Sequence, residues 1–379
     1  MSIDLDDKAE LLKLFGGTLM PGEVVHALLR NSRVFPYGIV SRGSGAPKML
    51  SYSPQPFPAI AVEHDGRTFD MADFLSVNRV AGLLILKDGQ VAFEQYELGL
   101  DADMHWASCS VAKSIASTLV GAAMYDGAIR DLDAPLTDFI EIGGPYAEVS
   151  LRQLLRMCTG VQWSEEYVDP GSERRKLLAR QLEFKPRAVV EHMAGLSRCA
   201  PPGGSWAYNT GESYLVAAVL EKATGRPLTE YLSEKIWSRL GMEQDATWWL
   251  DSPGGMVVSG SGMGATLRDY ARFGQFVLDD GVIAGERVVP EGWFKEAGSP
   301  FRIGERLIPY GYMWWMPELQ DPELEGTFQA EGIYGQYIHL NPRERLVIVL
   351  LSARSKPNYR LRFELNDDAF FAAVARALK

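Results

Sequence analysis

Residues 110–124, SVAKSIASTLVGAAM, read as one buried helix, dense in alanine, leucine and small side chains. Ser108 stands just ahead of it and can act as its N-cap, the hydroxyl oxygen accepting an N–H of the first turn. Ser110 and Lys113 are three residues apart, so both project from the same face of that turn. The positive end of the helix dipole disfavours an ammonium there, and Val111, Ala112 and Ile115 would desolvate it. Both effects lower the lysine pKa. A neutral lysine beside a serine hydroxyl is a general base beside a nucleophile. Ser110-Val111-Ala112-Lys113 is the only Ser-x-x-Lys tetrad in the chain.

Ahead of that helix, residues 79–99 (RVAGLLILKDGQVAFEQYELG) carry two apolar runs around Asp88-Gly89, a strong two-residue hairpin signal. A second hairpin spans 335–352 (GQYIHLNPRERLVIVLLS) and turns at Asn341-Pro342. The carboxy-terminal NDDAFFAAVARALK reads as a capped amphipathic helix with Phe370, Phe371, Val374 and Leu378 on its apolar face. Between the hairpins the periodicity is helical, over residues 149–157, 212–224, 228–240 and 267–278. Strands at both ends and helices between them predict an α+β fold. One antiparallel sheet, flanked by helices, would be formed by residues 1–105 and 301–379, and a mostly helical lobe by residues 106–300. The first 78 residues, rich in turn formers, read as irregular wrapping over the sheet. A cleft between sheet and lobe is the expected ligand site.

The chain of 379 residues is 46% hydrophobic and 23% charged, an ordinary balance for a globular protein with a sizeable core. Its net charge of −11 argues against nucleic acid and anionic membranes, whose binding depends on Lys and Arg neutralising phosphates. The acidic start, MSIDLDDKAELLKLF, lacks the basic flank and apolar run of a secretory signal, and no apolar stretch is long enough to span a membrane. Cys109, Cys158 and Cys199 form no C-x-x-C pair, as expected for reduced thiols in a cytoplasmic protein.

Of the common hydrolytic arrangements, a Ser-His-Asp triad is poorly supported. There is no G-x-S-x-G elbow, and the five histidines, His26, His64, His105, His192 and His339, are scattered. No H-E-x-x-H or clustered Cys and His point to a metal, so no metal or organic cofactor is expected. Two further segments can serve the serine. In PPGGSWAYNTGESYL (201–215) a tight turn delivers Tyr208 to a loop–helix junction, with Asn209 or Thr210 capping the helix. A phenol held beside a lysine can act as base and then acid. In Glu331-Gly332-Ile333-Tyr334-Gly335-Gln336 the glycines allow close backbone approach, and a strand N–H can contribute to an oxyanion hole.

Taken in order, a Ser-x-x-Lys helix after an early hairpin, a Tyr-Asn-Thr before a mid-chain helix and a glycine-rich late strand resemble the serine β-lactamase and penicillin-binding-protein superfamily. The texture of VSLRQLLRMCTGVQWSEEYVDPGSE, SGSGMGATLRDYARFGQFVLDDG and YGYMWW is similar to the class C-like serine hydrolases, among them carboxylesterases, D-amino-acid peptidases and the 6-aminohexanoate-dimer hydrolase group. The resemblance covers roughly residues 83–352. It implies Ser110 as nucleophile, Lys113 as its base partner and Tyr208 as proton shuttle. The oxyanion donors would be the backbone N–H groups of Ser110 and Ile333, and Tyr167 would contact the substrate amide. Two departures stand out. Asn209 and Thr210 replace the frequent Tyr-x-Asn order, and Glu331 stands where lactamases carry the lysine of Lys-Thr-Gly. With Asn209 and Glu331 in the substrate site, a carboxylate there would favour a neutral or cationic substrate. The implied activity is acyl-enzyme hydrolysis of small-molecule esters or linear amides by a monomer or homodimer. The rivals are a β-lactamase or D-amino-acid peptidase, and a non-catalytic binding protein on the same fold.

Overall fold

The computed structural model describes residues 5–357 and 363–379; the first four residues of the acidic amino terminus lie outside it. Asp88 and Gly89 both adopt left-handed backbone, φ 52° and 78°. That geometry matches the right-handed twist of paired strands, so Val80–Lys87 folds back as Gln90–Tyr96. Phe328–Gly332, Gln336–Asn341 and Leu346–Ser352 complete a five-stranded antiparallel sheet. Leu346–Ser352 pairs with Val80–Lys87 and so joins the two ends of the chain.

Side chains alternate across this sheet, and both faces are buried. Leu84, Leu86, Val347 and Val349 enter one core, while Leu83, Ile85, Ile348 and Leu350 enter the other. The carboxy-terminal helix Asp367–Ala377, capped by Asn366, whose Oδ1 accepts the Ala369 N–H at 3.0 Å, seals the second face with Phe370 and Phe371. Helix Leu267–Leu278 lies on the first face. There Gly274 leaves no room for a side chain, since a Cβ would stand 2.6 Å from Val347. This helix, from the middle of the chain, therefore belongs to the sheet layer. Helices Val111–Tyr125, Leu151–Leu155, Ala188–Ala194 and Thr210–Thr224 pack together beside it.

Three expectations are corrected. The first 78 residues are not only irregular, for they contain helices Leu5–Gly16, Pro21–Leu29 and Met71–Val77. The middle is not simply helical either. Tyr37–Val40, Ala246–Trp249, Met263–Ala265 and Trp106–Ala107 form a second, four-stranded antiparallel sheet. Finally, Ser108 does not cap the helix at residue 111. Its hydroxyl donates to the Cys109 carbonyl at 3.1 Å, and Ser110 itself occupies the N-cap position. Among the described residues no helix is long and apolar enough to cross a membrane, and the three cysteines are free thiols.

Candidate active site

The short strand Trp106–Ala107 leads into a sharp turn at Cys109, whose φ of 45° is left-handed. A non-glycine residue holds that conformation only under constraint from its surroundings. The turn lifts Ser110 to the head of helix Val111–Tyr125 and points Lys113 back at it. Lys113 Nζ lies 2.8 Å from Ser110 Oγ and 2.8 Å from the Gly260 carbonyl. Gly260 is required to be glycine, because a Cβ there would meet Ser213 Oγ at 2.1 Å.

Lys113 is only 1% exposed. Burial pushes its pKa down to about 7, helped by the Arg174 charge and opposed by Glu165. A neutral amine can donate one N–H to Gly260 and accept the Ser110 proton on its lone pair. The neighbouring Cys109 thiol is pushed up to about 12 by burial, so it stays protonated beside this pair.

Tyr208 stands over the same group, with Lys113 Nζ 5.1 Å from its ring centroid. Its ring packs on Trp315 at 5.1 Å, within an aromatic wall that includes Trp206 and Tyr310. Tyr312 belongs elsewhere, bonded to Arg152 and Glu296. Asn209 is brought near in sequence but not into the site. Its Oδ1 accepts the Glu212 N–H at 3.2 Å, its Nδ2 donates to Glu212 Oε1 at 3.1 Å, and it is 1% exposed. The expectation that Asn209 binds substrate is corrected to that of a helix cap. Thr210 reaches the cavity in its place.

Strand Phe328–Gly332 brings the third segment. A Cβ on Gly332 would lie 2.7 Å from Ser108 O and 3.0 Å from Ser110 N, so only glycine lets this strand end against the serine turn. Ile333 and Ser110 then line one cavity. Among the described residues, neither backbone N–H donates to another protein group, which leaves both for an oxyanion. Glu331, one residue earlier on the strand, faces the opposite side. Its Oε1 accepts from Gln329 at 2.8 Å, and Gln329 in turn contacts Asp368 of the carboxy-terminal helix. Burial, with Asp368 and Asp367 close by, raises Glu331 to about 8. It does not line the cavity beside Ser110; its charge is felt instead at Tyr310, which packs on Tyr208 in the aromatic wall.

Tyr167 does line that cavity. It stacks on Phe15 with centroids 5.9 Å apart, and its hydroxyl donates to Glu165 at 2.8 Å. The cavity measures about 40 Å³, and Leu11, Leu14 and Phe15 of helix Leu5–Gly16 form one wall. None of the five histidines lines it. Glu165, Arg174, Gly260 and the amino-terminal wall were not anticipated. Glu165 and Gly260 sit inside motifs already quoted, and residues 11, 14 and 15 share one helix face.

The family model described as beta-lactamase matches residues 76–370. The 6-aminohexanoate-dimer hydrolase of Paenarthrobacter ureafaciens is 31% identical over 308 residues, covering 77% of each chain. A Bacillus anthracis structure provisionally assigned as a 6-aminohexanoate-dimer hydrolase superposes with a TM-score of 0.82 at 23% identity, covering 93% of this chain and 94% of that one. A family VIII carboxylesterase gives 0.62 at 16% identity, over 81% of this chain and 95% of its own. These matches, and an α+β fold whose late strand closes on the serine turn, have one reading: the chain belongs to the β-lactamase family of the serine β-lactamase and penicillin-binding-protein superfamily.

Proposed function

We propose that this protein hydrolyses carboxylic esters or linear amides of small molecules through an acyl-enzyme on Ser110, as the names of its relatives imply. The observation that carries the reading is the buried 2.8 Å contact between Ser110 Oγ and Lys113 Nζ, with the lysine pushed down to about 7.

Lys113 takes the Ser110 proton as Oγ attacks the substrate carbonyl, and the oxyanion accepts from the N–H groups of Ser110 and Ile333. Tyr208, beside Lys113, passes the proton to the leaving alcohol or amine as the carbonyl reforms. Water then attacks the acyl group, gives its proton to the same pair, and Ser110 leaves as the free hydroxyl. Tyr167 lines the acyl side. The machinery uses no metal or organic cofactor, and neither nucleic acid nor membrane. We place it in the cytoplasm as a monomer or homodimer.

The test is intact-protein mass spectrometry after a fluorophosphonate probe, on wild type and Ser110→Ala. A substrate panel of esters, 6-aminohexanoate dimer, D-amino-acid amides and a β-lactam runs beside it. One adduct on wild type and none on Ser110→Ala is expected. No adduct on the wild type, or an equal one on the variant, removes the catalytic reading and leaves a binding protein on this fold.

A further inference from the structure

The cavity beside Ser110 is lined by a buried charge, Arg174, that touches no reacting atom in the steps above. Arg174 lies in the first turn of helix Glu173–Gln181, whose N-cap Ser172 accepts the Arg175 N–H at 3.2 Å. Its side chain is 2% exposed, and the guanidinium lies beside the stacked Phe15–Tyr167 pair, 4.7 Å from the Phe15 ring centroid and 5.7 Å from that of Tyr167. The nearest carboxylate is Glu165, and Arg174 Nε stops 3.9 Å from its Oε1.

Glu165 cannot come closer to hydrogen-bonding, because its acceptor sites are taken. Oε1 accepts from the hydroxyls of Tyr167 and Thr210, and Oε2 accepts from Trp163 Nε1 at 2.6 Å and the Thr210 N–H at 3.0 Å. Four donors fill the roughly four lone-pair positions of a carboxylate. Arg174 Nε and Nη1 are therefore buried donors without an acceptor among the described residues. Tyr167 and the Glu165 charge help keep the buried guanidinium charged, and a planar two-oxygen anion is the partner that best matches its two unmet donors. Arg174 and Ser110 line the same chamber, whose other walls include the apolar Leu11, Leu14, Phe15 and Trp249 and two further charged residues, Glu10 and Arg30, of opposite sign.

We infer that this chamber is the acyl pocket, and that it takes a short acyl group ending in a carboxylate held by Arg174. The substrate class is then the half-ester or half-amide of a short dicarboxylic acid. Ser110 attacks the ester or amide end while the free carboxylate docks on Nε and Nη1. The inference rests on the hydrolase reading above and narrows it.

The test compares monobutyl glutarate with butyl pentanoate, which has the same chain length but no terminal charge, by butanol release from wild type, Arg174→Gln and Arg174→Lys. Glutarate and pentanamide are compared as inhibitors of 4-nitrophenyl acetate hydrolysis by the wild type. The expected kcat/KM of the wild type is at least tenfold higher for monobutyl glutarate, and Arg174→Gln collapses that ratio. Glutarate should inhibit competitively at least tenfold better than pentanamide. The comparison is a ratio because Arg174 also depresses the Lys113 pKa, so its loss shifts activity on every substrate. Cleavage of 4-nitrophenyl acetate with no preference for the charged ester, and no advantage of glutarate, overturns the carboxylate assignment and leaves the hydrolase intact. The wild-type inhibition pair decides even where the variants do not fold. Absence of both 4-nitrophenyl acetate cleavage and the fluorophosphonate adduct defeats the hydrolase reading itself.

Discussion

Replacing Lys113 by methionine should cut activity by orders of magnitude and make the protein more stable at low pH. Burial moves this lysine from 10.5 to about 7. At about 1.4 kcal/mol per unit, that is roughly 5 kcal/mol of penalty on the ammonium. About half the folded molecules carry a neutral lysine at pH 7, against about one in three thousand for an unperturbed side chain. The sign follows from proton binding. Between about 7 and 10.5 the unfolded lysine holds a proton that the folded one lacks, so wild-type stability rises with pH across that window. Below about 7 both are protonated and the full cost is present. Lys113→Met removes the cost but strips the Gly260 carbonyl and Ser110 hydroxyl of their partner, a loss of about 1–3 kcal/mol. The variant should therefore exceed wild type by about 2–4 kcal/mol at pH 6, the margin shrinking by about 1.4 kcal/mol per pH unit above 7. Urea unfolding of both proteins at pH 6, 8 and 9.5 measures this. In parallel, wild-type kcat/KM on 4-nitrophenyl acetate should climb through a midpoint near 7, and fall by about 10²–10⁴ in the variant. A midpoint at 9 or above, or a variant less stable at pH 6, would refute the buried-lysine argument.

Gly332→Ala puts a Cβ 2.7 Å from Ser108 O and 3.0 Å from Ser110 N, forcing the strand away from the serine turn. Steady-state kinetics should show kcat reduced by about 10²–10³ with a smaller change in KM, as for loss of an oxyanion donor. Gly260→Ala drives a Cβ to within 2.1 Å of Ser213 Oγ and displaces the carbonyl that holds Lys113, so fluorophosphonate labelling of Ser110 should slow by at least about tenfold. Glu212 concerns stability alone. Burial raises its carboxyl from 4.5 to about 8, and its Oε1 accepts from Thr159 and Asn209. The folded form keeps a proton that the unfolded chain has lost, so wild-type stability falls as pH rises from about 4.5 to about 8. Glu212→Gln keeps the acceptor and abolishes the titration. Unfolding at pH 5 and pH 8 should show the variant gaining several kcal/mol on wild type between the two.

The legible parts of this fold are those whose partners are close in sequence. Asp88-Gly89 dictates a hairpin because two adjacent residues adopt positive φ. Helix Leu267–Leu278 announces itself by its own period, and so does Asp367–Ala377. The second sheet carried no such signal. Its strands are two to four residues long, and Tyr37 pairs with Trp249 across the chain. All four residues of Ala246–Trp249 are buried, so no alternation marks them. The amino-terminal helices did leave traces, such as Pro21 at a first helical position and the capping pair Asp70 and Asp73. The turn formers of residues 36–58 outweighed those traces.

At the site, the same division separates roles that local geometry dictates from roles that need three dimensions. Ser110 and Lys113 meet because three residues make nearly one helical turn, whatever else the chain does. Glu331 was open to the same kind of reasoning. Gly332 turns its missing side chain toward Ser110, and successive strand residues face opposite ways, so Glu331 is directed to the far face. That period of two keeps the Glu331 carboxylate off the face that meets Ser110. Arg174 is different in kind. Its significance depends on Glu165 being saturated by donors from Trp163, Tyr167 and Thr210. No spacing encodes that saturation, since residue 210 arrives from another helix. Only once those four bonds are counted does a buried arginine become a binding group, and the chamber beside Ser110 acquire a chemical preference.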